Sequence, residues 1–142
     1  MRKKIFLSFL ALSCALLVLL TGVLVFGAYR LEQRQLADSL ATEADTLASA
    51  LETTQDNAAL LSALSLNRRV TLVDTEGNVV FDNYAGAASM ENHGDRAEIR
   101  QALEEGSGQG KHLSNTLLQK NLYYAARLSD GTVLRLSCVE TT

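Results

Sequence analysis

Three features of the sequence predict an α+β fold: an uncharged apolar run near the start, an amphipathic stretch with helical spacing behind it, and short β-branched segments separated by glycine turns. The expected architecture is one transmembrane helix continuing into a long amphipathic helix, followed by a five-stranded antiparallel sheet with a short helix. The 142 residues suffice for one modest domain with an anchor. The chain is 47% hydrophobic with a formal charge of -3, which removes the basic footprint of a nucleic-acid binder. Cys14 and Cys138 are the 2 cysteines, with neither zinc spacing nor a disulfide framework. Proline is absent, so nothing of that kind need interrupt a long helix.

Residues 1–4 form a basic start, and Ile5 to Tyr29 is a run of 25 residues without a charged side chain. As a helix it is about 37 Å long, against a hydrocarbon core of about 30 Å. Its 15 Leu, Ile, Val and Phe residues make insertion favourable. Arg2, Lys3 and Lys4 before it and Gly27-Ala28 at its end also suit a cleaved signal peptide, although the run exceeds the roughly 7 to 15 apolar residues of a secretory core. With a short basic start ahead of the span, the amino terminus is expected in the cytoplasm and the bulk of the chain outside, as a single-pass protein of the cell membrane.

Residues 30–67 read as one amphipathic helix. Leu36, Leu40, Leu47 and Leu51 recur at steps of four and seven, with alanines beside them and acidic residues elsewhere. This narrow stripe suits a seam between two copies in a parallel homodimer, and it equally suits a helix covering its own sheet.

Residues 68–137 carry the strand signals. Arg69 to Asp74 and Asn78 to Asp82 flank Thr75-Glu76-Gly77, whose glycine can take positive φ in a hairpin. Leu122 to Leu128 and Thr132 to Leu136 flank Asp130-Gly131, the pair favoured at the centre of a type I′ turn. Lys111 to Leu118, with Leu113, Leu117, Ser114 and Thr116, supplies the fifth strand. Between the hairpins, Asp95-Arg96-Ala97-Glu98 reads as a capping box, Asp95 accepting from first-turn amides and Glu98 reaching back, ahead of the apolar face of Ile99, Ala102 and Leu103. Gly106 ends that helix, residues 106–110 read as a flexible loop, and residues 138–142 form a tail.

Chemistry is sparse. His93 beside Asp95 and Glu98 resembles a metal or acid–base cluster, while Asn92 and His93 equally suit turn hydrogen bonds before a helix. Arg96, Arg100 and Lys111 suit either an anionic ligand or a solvated helix face. Tyr123 and Tyr124, adjacent on a strand, point to opposite faces, so one can line a pocket while the other packs on the helix. The ligand-binding candidates are therefore His93, Arg96, Arg100, Tyr123 and Tyr124, and no catalytic residue, metal or cofactor is assigned.

The segments Arg69 to Asp82, Met90-Glu-Asn-His93 with Asp95-Arg96 and Glu98-Ile99, and Tyr123-Tyr-Ala125 through Gly131-Thr-Val-Leu-Arg135 together resemble the PAS-like (Cache-related) extracytoplasmic sensor domain of bacterial sensor histidine kinases, especially the phosphate-responsive PhoR type. The resemblance implies a two-component signalling module, dimeric, answering a small ligand or an envelope signal. It also implies a parent kinase whose relay, phospho-accepting helix and ATP-binding domain lie beyond Thr142 and through which alone a response regulator would be reached. Neither His93 nor His112 sits in the helical context of a phospho-accepting histidine. The rival expectations are a stand-alone anchored protein that holds a partner outside the membrane and, if the chain is cleaved near Ala28, a small secreted hydrolase.

Overall fold

The computed structural model describes residues 2–114 and 119–140. Helix α1 runs Arg2–Leu51, and the chain divides into two compact units, Met1–Leu36 and Ala37–Thr142. In the first unit the apolar side chains from Ile5 to Phe26 are exposed, and the helix is long and apolar enough to cross a membrane. Such a continuous bare apolar surface is unfavourable in water.

The second unit begins with the end of α1, followed by α2 (Asn57–Ala63), β1 (Arg69–Val73), β2 (Val79–Asp82), a 3₁₀ turn (Ala87–Ser89), α3 (Ala97–Glu105), β3 (Ser107–Ser114), β4 (Gln119–Arg127) and β5 (Val133–Glu140). The five strands are antiparallel in the order β2-β1-β5-β4-β3.

The single helix expected over residues 30–67 is corrected to α1 and α2. Thr53 and Thr54 donate to Ala50 and Leu51, tightening the end of α1, and Asp56 starts a new helix by accepting from the Ala59 amide at 2.9 Å. Glu52, whose amide still donates to Ala48, accepts with its carboxylate from the Ser129 amide and hydroxyl.

Strand register assigns the two sheet faces. Thr71 pairs with Arg135, which pairs in turn with Ala125, so Val73, Val133 and Ala125 share one face and pack with Ile99 and Ala102 of α3. On the opposite face lie Val70, Leu72, Leu134, Leu136, Leu122 and Tyr124, and the Tyr124 hydroxyl donates to Asp45 of α1 at 3.4 Å. Leu40, Ala44, Leu51 and Leu61 are buried, covering this second face. Leu40 and Leu51 are therefore corrected from a seam between two copies to the domain's own core, because the apolar second face of the sheet would otherwise meet water. Leu36 and Leu47 are half-buried.

Both hairpin turns place glycine in the left-handed region, Gly77 at φ 87° and Gly131 at φ 86°. The Gly131 amide donates to Leu128, so Ser129 and Asp130 are the central turn residues. Asp130-Gly131 is thus corrected from the centre of a type I′ turn to a loop that ends on a left-handed glycine.

The loop expected over residues 106–110 is also corrected. Gly106 does end α3, with φ 94° and its amide on Ala102, but Ser107 already begins β3. Gly108 and Gly110 let β3 pass directly against α3: a Cβ on Gly108 would collide with the Glu98 carbonyl oxygen and lie 3.0 Å from the Ala102 nitrogen. The remainder of the strand expected over Lys111 to Leu118, residues 115–118, lies outside the described residues. Gly108→Ala should cost about 1–3 kcal/mol by forcing α3 away from the sheet. Gly86→Ala, whose new Cβ would meet only Ser89 Oγ at 3.9 Å, should change stability by no more than about 0.5 kcal/mol. Urea melts of the two variants compare these effects, and equal midpoints would refute the close-approach role.

Candidate functional site

The α3 face of the sheet carries a polar chain through its apolar surroundings. Arg135 on β5, 5% exposed, donates from Nη1 to Glu98 Oε1 on α3 and from Nη2 to Thr71 Oγ1 on β1, both at 3.3 Å. The Thr71 hydroxyl donates to Asp82 Oδ2 at 2.8 Å, and Arg69 Nε donates to the same oxygen at 3.0 Å. Asp82 Oδ1 accepts the backbone amides of Tyr84 and Ala85. The chain therefore joins α3, β5, β1, the end of β2 and the segment beyond it.

Electrostatics follow from this wiring. Burial pushes the Asp82 carboxyl up, but the Tyr84 amide, Thr71, Arg69 and the Ala85 amide outweigh it and hold the group below the usual 3.8. Burial lowers the Arg135 guanidinium from its usual value, and Glu98 opposes that shift. The Tyr123 ring stands over Arg135, with the guanidinium carbon 5.1 Å from the ring centroid.

Next to this chain is a cavity of about 490 Å³ between residues 91–98 and strands β3 and β4, lined by Arg96, Glu98, Lys111, His112 and Tyr123, with Glu91 and Asp95 also contributing. Arg96 Nη1 lies 3.4 Å from His112 Nε2, and the His112 ring meets Tyr123 edge-on. Among the described residues neither Arg96 nor Lys111 forms an ion pair, whereas Arg68, Arg69 and Arg135 each have a carboxylate partner. On the other side of Tyr123 a second hollow of about 620 Å³ is bordered by Arg69, Tyr84, Asn121 and Ser137.

Of the ligand-binding candidates, the fold brings Arg96 and Tyr123 to the cavity and buries His93 beside it. Arg100 is exposed on α3 and is not among the cavity-lining residues. Tyr124 faces away toward Asp45, where burial and that carboxylate raise its pKa above 10.0.

The capping box is not formed. Arg96 occupies the N-cap position without a side-chain cap, Asp95 is exposed, and Glu98 is drawn to Arg135 instead of back to its own helix start. A buried guanidinium leaves Glu98 little choice, since an unpaired charge there is far more costly than an uncapped amide. Sequence reasoning missed Arg135, Thr71 and Asp82 as parts of the site. Arg135 was detectable as the one charge in the apolar run Val133-Leu-Arg-Leu136. Among the described residues no three His, Cys, Asp or Glu side chains are grouped to hold a metal ion.

An antiparallel five-stranded sheet with helices on both faces and a polar cavity beside α3 is the architecture of a PAS-like sensor domain. The single Cache-like family model matches residues 30–133, and the chain belongs to that family. No curated protein matches it. Among solved structures it is similar to the extracellular domain of rpHK1S-Z16, a proposed histidine kinase, at 11% identity and a TM-score of 0.43, over 58% of this chain and 36% of that one. It is also similar to the Bacillus subtilis YkuI protein, which has an EAL domain and was solved with c-di-GMP and calcium, at 10% identity and a TM-score of 0.46, over 82% of this chain and 37% of that one. The chain thus spans little more than a third of the length of either structure.

Proposed function

We propose that this chain is the sensing portion of a membrane-anchored receptor whose domain faces outward and reads a small organic acid in the cavity beside α3. Membership of the single Cache-like family supports the sensor reading, and the exposed apolar helix supports the anchor. The amino terminus is assigned to the cytoplasm on the basic residues that precede the span. The receptor is assigned to the PhoR type of two-component histidine kinase on the sequence resemblance, with a second copy of the chain and a response regulator reached through the parent kinase.

The observation that carries the ligand reading is the pair of cations at the cavity, Arg96 and Lys111, against the Tyr123 ring, neither with a carboxylate partner among the described residues. They suit a carboxylate, while Glu91 and Asp95 suit an ammonium or hydroxyl on the same molecule, so an amino or hydroxy acid fits best. A ligand signals only through its preference for one of two arrangements of the receptor.

The test is a thermal-shift series on the full chain in detergent with amino acids, hydroxy acids, acetate and inorganic phosphate. At least one amino or hydroxy acid should raise the midpoint, and Arg96→Gln should abolish the rise. Stabilisation by phosphate alone would replace the organic acid with an inorganic signal. No shift with any compound, or a shift that survives Arg96→Gln, would overturn the site.

A further inference from the structure

The stretch of chain that forms one wall of the cavity is fastened to the β1–β2 turn by the His93 backbone amide and the Asn92 side chain. The His93 amide donates to the Gly77 carbonyl at 2.7 Å, Asn92 Nδ2 donates to the Glu76 carbonyl at 2.9 Å and to Asn78 Oδ1 at 3.1 Å, and Asn92 Oδ1 accepts the Gly94 amide. The two chains touch so closely that a Cβ on Gly77 would lie 2.6 Å from Gly94 Cα. Asn92, Asp95 and Arg96 also line the cavity, so movement of this stretch alters the site.

The residue whose amide closes this junction carries a titratable side chain. His93 is 7% exposed, and among the described residues its Nδ1 has no hydrogen-bond partner. Arg135 from β5, Arg69 from β1 and Arg96 from its own segment act on it, with Asp82 at the end of β2 as the opposing carboxylate. Glu98 on α3 is held by Arg135, and Asp82 is held by Arg69 and Thr71, so each carboxylate is already engaged. Lys111 and His112 on β3 and Tyr123 on β4 border the same region. Three guanidiniums therefore oppose a charge on the imidazole, and Asp82, the carboxylate that favours it, is already engaged by Arg69 and Thr71.

We propose that His93 is an acid-operated latch: uptake of a proton places a further positive charge among Arg69, Arg96 and Arg135, releases residues 92–94 from the Gly77 turn and reshapes the cavity wall. The closed junction holds imidazole in its neutral form. Burial, then Arg135, Arg96 and Arg69, lowers the His93 pKa from 6.5, with Asp82 acting the other way. The open segment, exposed to water, returns toward that ordinary value. The open form therefore binds more protons, and the closed form loses stability as pH falls below about 6.5, until the depressed pKa of the closed form is also passed. As a regulation of the proposed sensor the latch rests on that reading, but it operates without a ligand, so the two can fail separately.

The test is amide hydrogen exchange on the full chain in lipid nanodiscs without ligand, corrected for intrinsic rates, over peptides covering 74–80 and 90–98. One proton taken up by an open state of ordinary pKa predicts a loss of protection between pH 7.5 and 5.5 with a ceiling of about tenfold, reached when the closed form takes up no proton in that range. In His93→Gln the corrected protection should not change with pH. An NMR titration of the His93 imidazole, assigned with His112→Gln, should show a midpoint below 6.5 and keeps the proposal testable if His93→Gln does not fold. Unchanged protection in the wild-type chain, an equal loss in His93→Gln, or a midpoint at or above 6.5 would each overturn the latch. A working latch in a chain that binds none of the acids would leave the latch standing and remove the organic-acid site.

Discussion

Glu98→Ala is expected to destabilise the domain by about 3–5 kcal/mol, the cost of leaving a buried cation without its partner. The side chains of Arg135 and Glu98 are 6% and 8% exposed, so water cannot replace the lost carboxylate. Among the described residues Arg135 Nε is already unpartnered, and without Glu98 the contacts with Thr71 and the Tyr123 ring are those that remain. The loss belongs to the unpaired charge and not to a large favourable energy of the pair itself. Glu98→Leu combined with Arg135→Met should therefore recover most of the stability, because two buried ions are exchanged for apolar side chains of similar volume. Chemical denaturation of the single and double variants decides the matter. A double variant no more stable than Glu98→Ala would mean that the ion pair supplies net stability.

Leu40→Ala should cost about 2–5 kcal/mol, because a fully buried leucine leaves a cavity between α1 and the sheet. The magnitude should be the same at low and high protein concentration, since the contact lies within one chain. Leu47→Ala should cost clearly less, as Leu47 is half-buried. Thermal melts across a dilution series distinguish the cases: a concentration-dependent loss for Leu40→Ala would return that residue to an interface between copies.

These two residues show how far local patterns reach. The four-and-seven spacing of Leu36, Leu40, Leu47 and Leu51 announces an apolar stripe but says nothing of what covers it, since a sheet and a second helix offer the same chemistry. Asp95 and Glu98 carry the spacing of a capping box, and the structure uses neither in that way. The worth of a cap is about 1 kcal/mol, too little to compete with the demand of a buried guanidinium 37 positions away. The glycines at 106, 108 and 110 look alike in sequence, yet the first ends a helix and the other two make room for α3 to lie against β3. The opposite orientation of Tyr123 and Tyr124 follows from strand geometry alone, whereas their assignment to cavity and helix required the pairing register.

The amino-acid sequence by itself determined the apolar helix, the α+β class, the hairpin glycines at 77 and 131 and the end of α3 at Gly106, because each depends on side chains within a few positions of one another. The tertiary structure alone decided that Arg135 meets Glu98 and Thr71, the latter 64 positions away, that Leu40 is buried in its own domain, and that His93 lies at the junction with the Gly77 turn. Sheet register sets those neighbours, and register depends on how the whole chain buries its apolar faces.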